Sequence, residues 1–100
     1  MNTRTLLSED HRLKLGRGIQ LRFDKTRESW TLMAPERVLV LDEISHEVIN
    51  ECLTSGDSVS TVIDTLTERF DAPREEIATD VIAMLQDFLD KKMLAVHDPD

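Results

Sequence analysis

The segment that most restricts the fold is Val38-Leu39-Val40-Leu41, four consecutive large apolar residues that follow a turn at Pro35. A strand with one face in water alternates apolar and polar residues, whereas a strand that is apolar on both sides needs cover on both sides. The segment is therefore either an interior strand or an edge that another chain covers. An exposed apolar edge invites strand addition by a peptide.

Two alternating segments precede this apolar run. Residues 19–23 and 30–33 alternate apolar with polar side chains, which predicts a hairpin joined by residues 24–28. Pro35 then turns the chain into a third strand, residues 37–41. We expect the side chain of Trp30, on the second strand, to lie in the core.

From Asp42 onward the apolar period changes from two residues to about 3.6, which predicts three helices. Asp42 and Ser58 are expected N-caps, and residues 55–57 are expected to end the first helix. Pro73 is expected in the first turn of the third helix, which should run to about Met93. The predicted fold class is α+β, a three-stranded antiparallel sheet followed by three helices.

A chain of 100 residues suits one small domain. We assign residues 13–96 to that domain and residues 1–12 to a flexible lead-in. The sequence lacks an apolar run of membrane-spanning length, and its N-terminus lacks an apolar core of signal-peptide length. We therefore expect a cytoplasmic protein that does not bind membranes.

The net charge of -8 is unevenly distributed, because residues 1–37 carry +3 and residues 38–100 carry -11. Binding to nucleic acid requires clustered Lys and Arg to neutralise phosphates. The acidic helical part has the wrong sign, so we expect no nucleic-acid partner. Its charge either steers the domain toward a basic protein patch or keeps the domain soluble, and both interpretations stay open.

Residues with catalytic or metal-binding chemistry are few and scattered. The lone Cys52 excludes an internal disulfide and a cysteine cluster, and its place on the apolar stripe of the first helix predicts a core thiol. The three histidines, at positions 11, 46 and 97, show no ligand spacing. The acids of the first helix lack a calcium-binding loop and are interpreted as a solvated face. We expect no metal, no cofactor and no enzymatic activity.

The third predicted helix is apolar over roughly half of its circumference. Its main stripe contains Ile77, Val81, Met84, Leu85 and Phe88, and its flank contains Ala78, Ile82, Leu89 and Met93. Either the flank lines a groove, or the small domain wraps this helix on two sides. We place a guest peptide between the third strand and the third helix.

Several segments together resemble the PqqD family, the small peptide chaperones of pyrroloquinoline quinone biosynthesis. They are Leu15-Gly-Arg-Gly-Ile-Gln-Leu21, Asp24 and Arg27, Trp30-Thr-Leu-Met-Ala-Pro-Glu-Arg-Val38, Leu41-Asp42, Phe70-Asp-Ala-Pro73 and Asp80-Val81. The resemblance extends over roughly residues 13–95. It implies a winged-helix-like fold that serves as a recognition element for ribosomally made, modified peptides (RiPPs).

The resemblance also implies the partners and the mode of binding. The precursor peptide PqqA would add as a strand antiparallel to the third strand, beside the third helix. The chaperone would present it to the radical-SAM enzyme PqqE, which cross-links a Glu and a Tyr of the precursor. Iron–sulfur chemistry would then belong to PqqE, and no cofactor is expected in this chain.

Carried over by position, the peptide-binding residues fall into two groups. The strand group is Arg37, Val38, Leu39, Val40 and Leu41, and the groove walls, a geometric inference of our own, are Ile77, Val81, Ile82, Leu85 and Leu89. The chain departs from the family in the longer connection that follows Cys52, and in Val40, where the family often has a polar residue. An apolar residue at position 40 favours self-association, so a monomer and a strand-swapped dimer both stay open.

Two other functions remain as alternatives. The order of elements also suits a winged-helix transcription regulator, although the third helix carries five acids against three bases. The chain would alternatively be a purely structural subunit of the modifying enzyme, binding PqqE but no peptide.

Overall fold

The computed structural model describes residues 5–97 and contains two small antiparallel sheets and three helices. The elements are β1 (Leu13–Leu15), β2 (Gln20–Asp24), β3 (Ser29–Met33), β4 (Val38–Leu41), α1 (Glu43–Ser55), α2 (Val59–Phe70), α3 (Arg74–Asp90) and β5 (Leu94–Val96). The predicted winged-helix-like α+β fold, in which a three-stranded antiparallel sheet precedes three helices, is confirmed.

The larger sheet has the strand order β2-β3-β4, so β4 lies at one of its edges. Leu32 of β3 lies opposite Leu39 of β4, and Trp30 lies opposite Leu41. Because side chains alternate across a strand, these four residues share the face that meets the helices. Leu32 and Leu41 are buried in the core there. The opposite face of β4 carries exposed valines.

The second sheet pairs the two ends of the domain. Leu13 of β1 lies opposite Val96 of β5, and Leu15 lies opposite Leu94. This pairing was not predicted from the sequence. A local pattern gives no signal for contact between segments about eighty residues apart, because the pairing partner is set by the folded core.

A glycine permits the close approach between this second sheet and the end of α3. The amide of Gly16 donates to the carbonyl oxygen of Met93 at 2.9 Å. A Cβ added at Gly16 would lie 2.1 Å from the carbonyl oxygen of Lys92. No real Cβ comes so close to a backbone atom, so a larger residue here would separate the chain segments.

Side-chain caps define where the first two helices begin. The carboxylate of Asp42 accepts the amide hydrogen of Ser45 at 2.7 Å, and the hydroxyl of Ser58 accepts that of Thr61 at 3.4 Å. Both predicted N-caps are therefore confirmed. The predicted end of α1 is also confirmed, because Gly56 adopts a left-handed backbone with φ of 68°.

The third helix differs from the prediction at both ends. Pro73 is the N-cap residue rather than part of the first turn, and the helix begins at Arg74. It ends at Asp90, before the predicted end at about Met93, and Lys92 adopts a left-handed backbone with φ of 63°. The chain must leave the helix early because residues 94–96 turn back to pair with β1.

Part of the predicted lead-in is hydrogen-bonded to the domain. Residues 1–4 lie outside the described residues. The amide of Val59 donates to the carbonyl of His11 at 2.8 Å, and the amide of Ser60 donates to that of Glu9 at 2.8 Å. Arg74 pairs with the carboxylates of Glu9 and Asp64 at 2.8 and 2.6 Å. These contacts tie residues 9–11 to the start of α2.

The close approach at Gly16 yields a prediction about stability. The Gly16→Ala substitution should lower the free energy of unfolding by about 1–3 kcal/mol, because the added methyl group meets a backbone carbonyl that cannot move freely. Urea denaturation followed by the fluorescence of the single Trp30 measures this change. The control is Gly18→Asn, since a side chain at Gly18 meets open space and Asn tolerates its positive φ. Equal losses in the two variants would contradict the explanation.

Candidate functional site

The outer edge of β4 carries main-chain groups that have no partner strand. The amide of Ala34 donates to the carbonyl of Arg37 at 2.8 Å, which makes these two residues a hydrogen-bonded pair at the turn. Hydrogen-bonded and non-hydrogen-bonded pairs alternate along an antiparallel ladder. Val38 and Val40 therefore direct their N–H and C=O groups away from β3. Among the described residues, β4 pairs with β3 alone.

The side chains on this edge are apolar and accessible. Val38 is 43% exposed and Val40 is 53% exposed. Leu39 and Leu41 occupy the other side of the strand, where Leu39 packs against the core and Leu41 belongs to it. The strand thus offers four unpaired main-chain groups beside apolar surface on one face and packed leucines on the other.

The predicted residues of α3 do not all lie at the surface. Val81 and Leu85 are core residues, 5% and 0% exposed, so they have almost no surface for a guest peptide. Ile77, Ile82 and Leu89 are only partly buried. At about 100° per residue, Ile82 and Leu89 lie on one side of the buried stripe of α3. Ile77 lies on the other side, together with the partly buried Met84.

One side of α3 already contacts the chain's own N-terminal segment. The side-chain amide of Gln86 accepts the amide hydrogen of Leu7 at 2.8 Å and donates to the carbonyl of Thr5 at 2.8 Å. Gln86 projects from the same side as Ile82 and Leu89. Sequence reasoning missed this contact, because a polar residue on the solvent side of a helix carries no signal of what it binds.

Arg37 links the beginning of β4 to the end of α3. Its guanidinium group donates a hydrogen bond to the carbonyl oxygen of Lys91, the C-cap residue of the helix. The side chain of Lys91 forms an ion pair with Asp87 at 2.9 Å. Strand β4 and helix α3 therefore meet at this end, and the structure brings Arg37 together with the helix that was expected to flank the guest.

The predicted core position of Trp30 is wrong. Its side chain is 36% exposed, at the margin where the sheet meets α1. The indole stacks on the ring of His46 with centroids 4.4 Å apart and meets the ring of Phe23 edge-on at 5.5 Å. The Nε2 atom of His46 is buried and has no hydrogen-bond partner among the described residues. Trp30 thus joins the sheet to α1, and its fluorescence reports on that contact.

Among the described residues, the one thiol is buried and the possible metal ligands are not grouped. Burial raises the pKa of the Cys52 thiol to about 12, and the predicted core position of this residue is confirmed by its exposure of 2%. Within residues 5–97, no three His, Cys, Asp or Glu side chains are grouped to hold a metal ion. No helix in that range is long and apolar enough to cross a membrane.

The far end of β4 is marked by Asp42. Its hydrogen bond from the amide of Ser45 lowers the pKa of the carboxyl group below its ordinary value of 3.8. Glu43, the next residue, is exposed and has no ion-pair partner among the described residues. The end of the strand is therefore acidic, whereas its beginning carries Arg37.

Comparison with known proteins gives one consistent family. Residues 29–94 match the family described as coenzyme PQQ synthesis protein D (PqqD). A PqqA binding protein of Bradyrhizobium diazoefficiens is 52% identical over 89 residues, which span 88% of this chain and 84% of that protein. A PqqA binding protein of Rhodopseudomonas palustris strain BisB5 is 49% identical over 88 residues, spanning 88% of this chain and 85% of the relative.

Two solved structures share the fold. The solution NMR structure of the PqqD truncation of Methylobacterium extorquens PqqCD has a TM-score of 0.70 and 32% identity, and the match covers 88% of this chain and 93% of that one. That protein is described as a functional, stand-alone RiPP recognition element. The crystal structure of PqqD from Xanthomonas campestris has a TM-score of 0.52 and 36% identity over 80% of this chain and 88% of that one.

The cap at the end of β4 predicts a pH-dependent contribution to stability. The Asp42→Ala substitution should lower the free energy of unfolding by about 1 kcal/mol at neutral pH, because an amide of α1 loses its acceptor. The folded-state pKa is lowered, so the carboxylate contributes fully above the unfolded value and progressively less as the pH falls through the folded value. Urea denaturation between pH 7 and about pH 2.5 measures both effects.

The Asp42→Asn substitution is the matched control, because it keeps a side-chain acceptor but does not titrate. Its stability relative to the unmodified chain should therefore rise as the pH falls. A difference that stays constant over this range would show that the carboxylate charge contributes nothing.

Proposed function

This chain belongs to the PqqD family, and we propose that it is a non-enzymatic peptide chaperone that binds the precursor peptide PqqA by strand addition to β4. The family match, the relatives named PqqA binding proteins and the neighbour described as a RiPP recognition element support this proposal. The observation that carries it is the outer edge of β4, where Val38 and Val40 present unpaired main-chain groups.

The size of the contact can be compared with the affinity that it must provide. Four main-chain hydrogen bonds contribute about 0.5–1.5 kcal/mol each, so together about 2–6 kcal/mol. Micromolar binding corresponds to about 8 kcal/mol. Apolar contact provides the remainder, since burial of roughly 100 Å² of apolar surface contributes about 2.5 kcal/mol. Val38 and Val40 supply such surface on one face of a guest strand.

The other face of the guest strand would meet Leu39 and helix α3. Of the groove walls considered, Ile77 lies with Met84 on the side of α3 that Gln86 and the N-terminal segment leave free. We therefore assign these two residues to the wall, and assign Val81 and Leu85 to the core beneath it. Ile82 and Leu89 would contact a guest only if the segment around Leu7 moved away.

The modification itself belongs to the partner enzyme in this proposal. The chain holds PqqA and presents it to the radical-SAM enzyme PqqE in the cytoplasm. Tethering raises the effective concentration of the substrate, so a modest affinity suffices. A dimer that paired two β4 edges would occupy the same main-chain groups and would compete with PqqA.

Amide chemical shifts of the isotope-labelled chain, followed during titration with PqqA, test the site. We expect the amides of Val38 and Val40 to shift and to become protected from hydrogen exchange, because their N–H groups gain acceptors. Shifts confined to other residues would place the peptide elsewhere. Repeating the titration with PqqE separates a peptide chaperone from a purely structural subunit, which would bind PqqE and leave PqqA free.

The outward direction of the Val40 amide predicts the effect of proline substitutions. Val40→Pro should weaken PqqA binding about two- to tenfold, which corresponds to the free energy of one hydrogen bond. The domain should stay folded, because the lost amide points away from β3. Leu39→Pro should instead destabilise the domain, because the amide of Leu39 points toward β3. Calorimetric titration and circular dichroism measure the two effects.

The matched control is Val40→Thr, which keeps both the β-branched shape and the amide. It should bind PqqA within about fourfold of the unmodified chain and more tightly than Val40→Pro, since it keeps the hydrogen bond and loses only one methyl contact of about 0.8 kcal/mol. Unchanged affinity in a folded Val40→Pro variant would be the result that excludes strand addition at this edge.

A further inference from the structure

Strand addition alone does not determine the direction of the guest. An edge strand accepts a partner in either the parallel or the antiparallel direction. Val38 and Val40 each direct one N–H and one C=O group outward. A guest strand that slides by two residues along β4 therefore meets the same kinds of main-chain group. Side chains beside the edge must therefore define direction and register, and the charged ones stand at the two ends of β4.

The beginning of β4 carries two cationic side chains, those of Arg37 and Lys92, that form no ion pair among the described residues, beside the exposed Glu36. Arg37 directly precedes the strand, and its guanidinium group reaches the carbonyl of Lys91 at the end of α3. The unpaired carbonyls at a helix C-terminus carry a partial negative charge, which this guanidinium group offsets. Lys92 adds an exposed ammonium group that has no ion-pair partner among the described residues. Glu36 lies in the turn, beyond the paired part of the hairpin.

The other end of β4 is negative, and the two ends act independently. The exposed carboxylates of Asp42 and Glu43 follow the strand directly. Arg37 and Asp42 are separated by about 17 Å of extended chain at roughly 3.4 Å per residue. This exceeds the Debye length of about 8 Å at physiological ionic strength. Each end therefore interacts mainly with the guest charge that lies nearest to it.

We infer that β4 selects an extended apolar segment with a basic residue before it and an acidic residue after it, and that Arg37 is the residue that recognises the acid. In an antiparallel guest, the C-terminal end lies beside Arg37 and the N-terminal end lies beside Asp42. The same peptide in the parallel direction would place like charges together at both ends. This inference rests on the proposed function and specifies the class of peptide that the same edge binds.

A double-mutant cycle tests the recognition of the acid. Calorimetry compares the unmodified chain with Arg37→Gln, each titrated with PqqA and with PqqA variants in which one Asp or Glu at a time becomes its amide. Arg37→Gln should weaken binding of PqqA about two- to fivefold, the range for an exposed ion pair. Changing one particular acid of PqqA, C-terminal to the paired segment, to its amide should weaken binding to the unmodified chain by a similar factor. The same change should not weaken binding to the Arg37→Gln variant.

Two variants of this chain serve as controls for the cycle. Arg37→Lys keeps the charge and should retain most of the affinity. Arg17→Gln removes the same charge from the exposed connection between β1 and β2, and should leave the effect of every PqqA variant unchanged. The coupling should shrink at high salt, because exposed charges are screened. Purely additive losses for every acid would overturn the inference.

The direction of the guest can be measured without altering the chain. A nitroxide label is placed on PqqA immediately before or immediately after the paired segment. The label on the C-terminal side should broaden the amide signals around Arg37 and Lys92 more than those of Asp42 and Glu43, and the label on the N-terminal side should do the reverse. The opposite pattern would overturn the inference even if an Arg37 variant proved unstable.

Failure of this inference is distinguishable from failure of the proposed function. If Val40→Pro weakens binding but no acid of PqqA couples to Arg37, strand addition stands and the charge selection is wrong. If Val40→Pro leaves the affinity unchanged in a folded domain, PqqA does not bind at β4, and both proposals fail.

Discussion

The alternation of hydrogen-bonded pairs between β3 and β4 is the constraint on which the rest of the structure depends. Leu39 and Leu41 direct their main-chain groups to β3 and their side chains toward the helices. Val38 and Val40 consequently keep their main-chain groups for a partner outside the sheet. If β4 slipped by one residue against β3, the valines would face the core and the leucines would be exposed. Burial of Leu41, which is 5% exposed, therefore fixes the register that leaves the main-chain groups of Val38 and Val40 unpaired.

The features that were predictable from the sequence are those encoded within a few residues. Asp42 and Ser58 cap helices because each side chain bonds an amide three residues later. The apolar run from Val38 to Leu41 left an interior strand and a covered edge both open, and the sheet order places it at an edge. Trp30 was misplaced because alternation identifies the face of a strand but not how far the helices extend beneath it. The pairing of β1 with β5 depends on segments at opposite ends of the chain and has no local pattern.

Helix α3 shows why half of the candidate site was harder to predict. Its apolar surface covers about half of the circumference, and a helical wheel does not reveal which flank faces solvent, core or another segment. The structure resolves this through Gln86, which binds the backbone of residues 5–7 on one flank. Ile77 and Met84 lie on the opposite flank, so a single helix separates the chain's own segment from the proposed position of a foreign one.

Pairing of Leu13 with Val96 places the two ends of the domain side by side. A linker attached to either end would start from nearly the same point, and linkers of equal length would have nearly equal reach. A fusion partner joined directly before residue 13, in place of the segment that contacts α2 and α3, would lie at nearly the same distance from the β4 edge as one joined behind residue 96. The geometry suits a module that is exchanged between larger proteins as a unit.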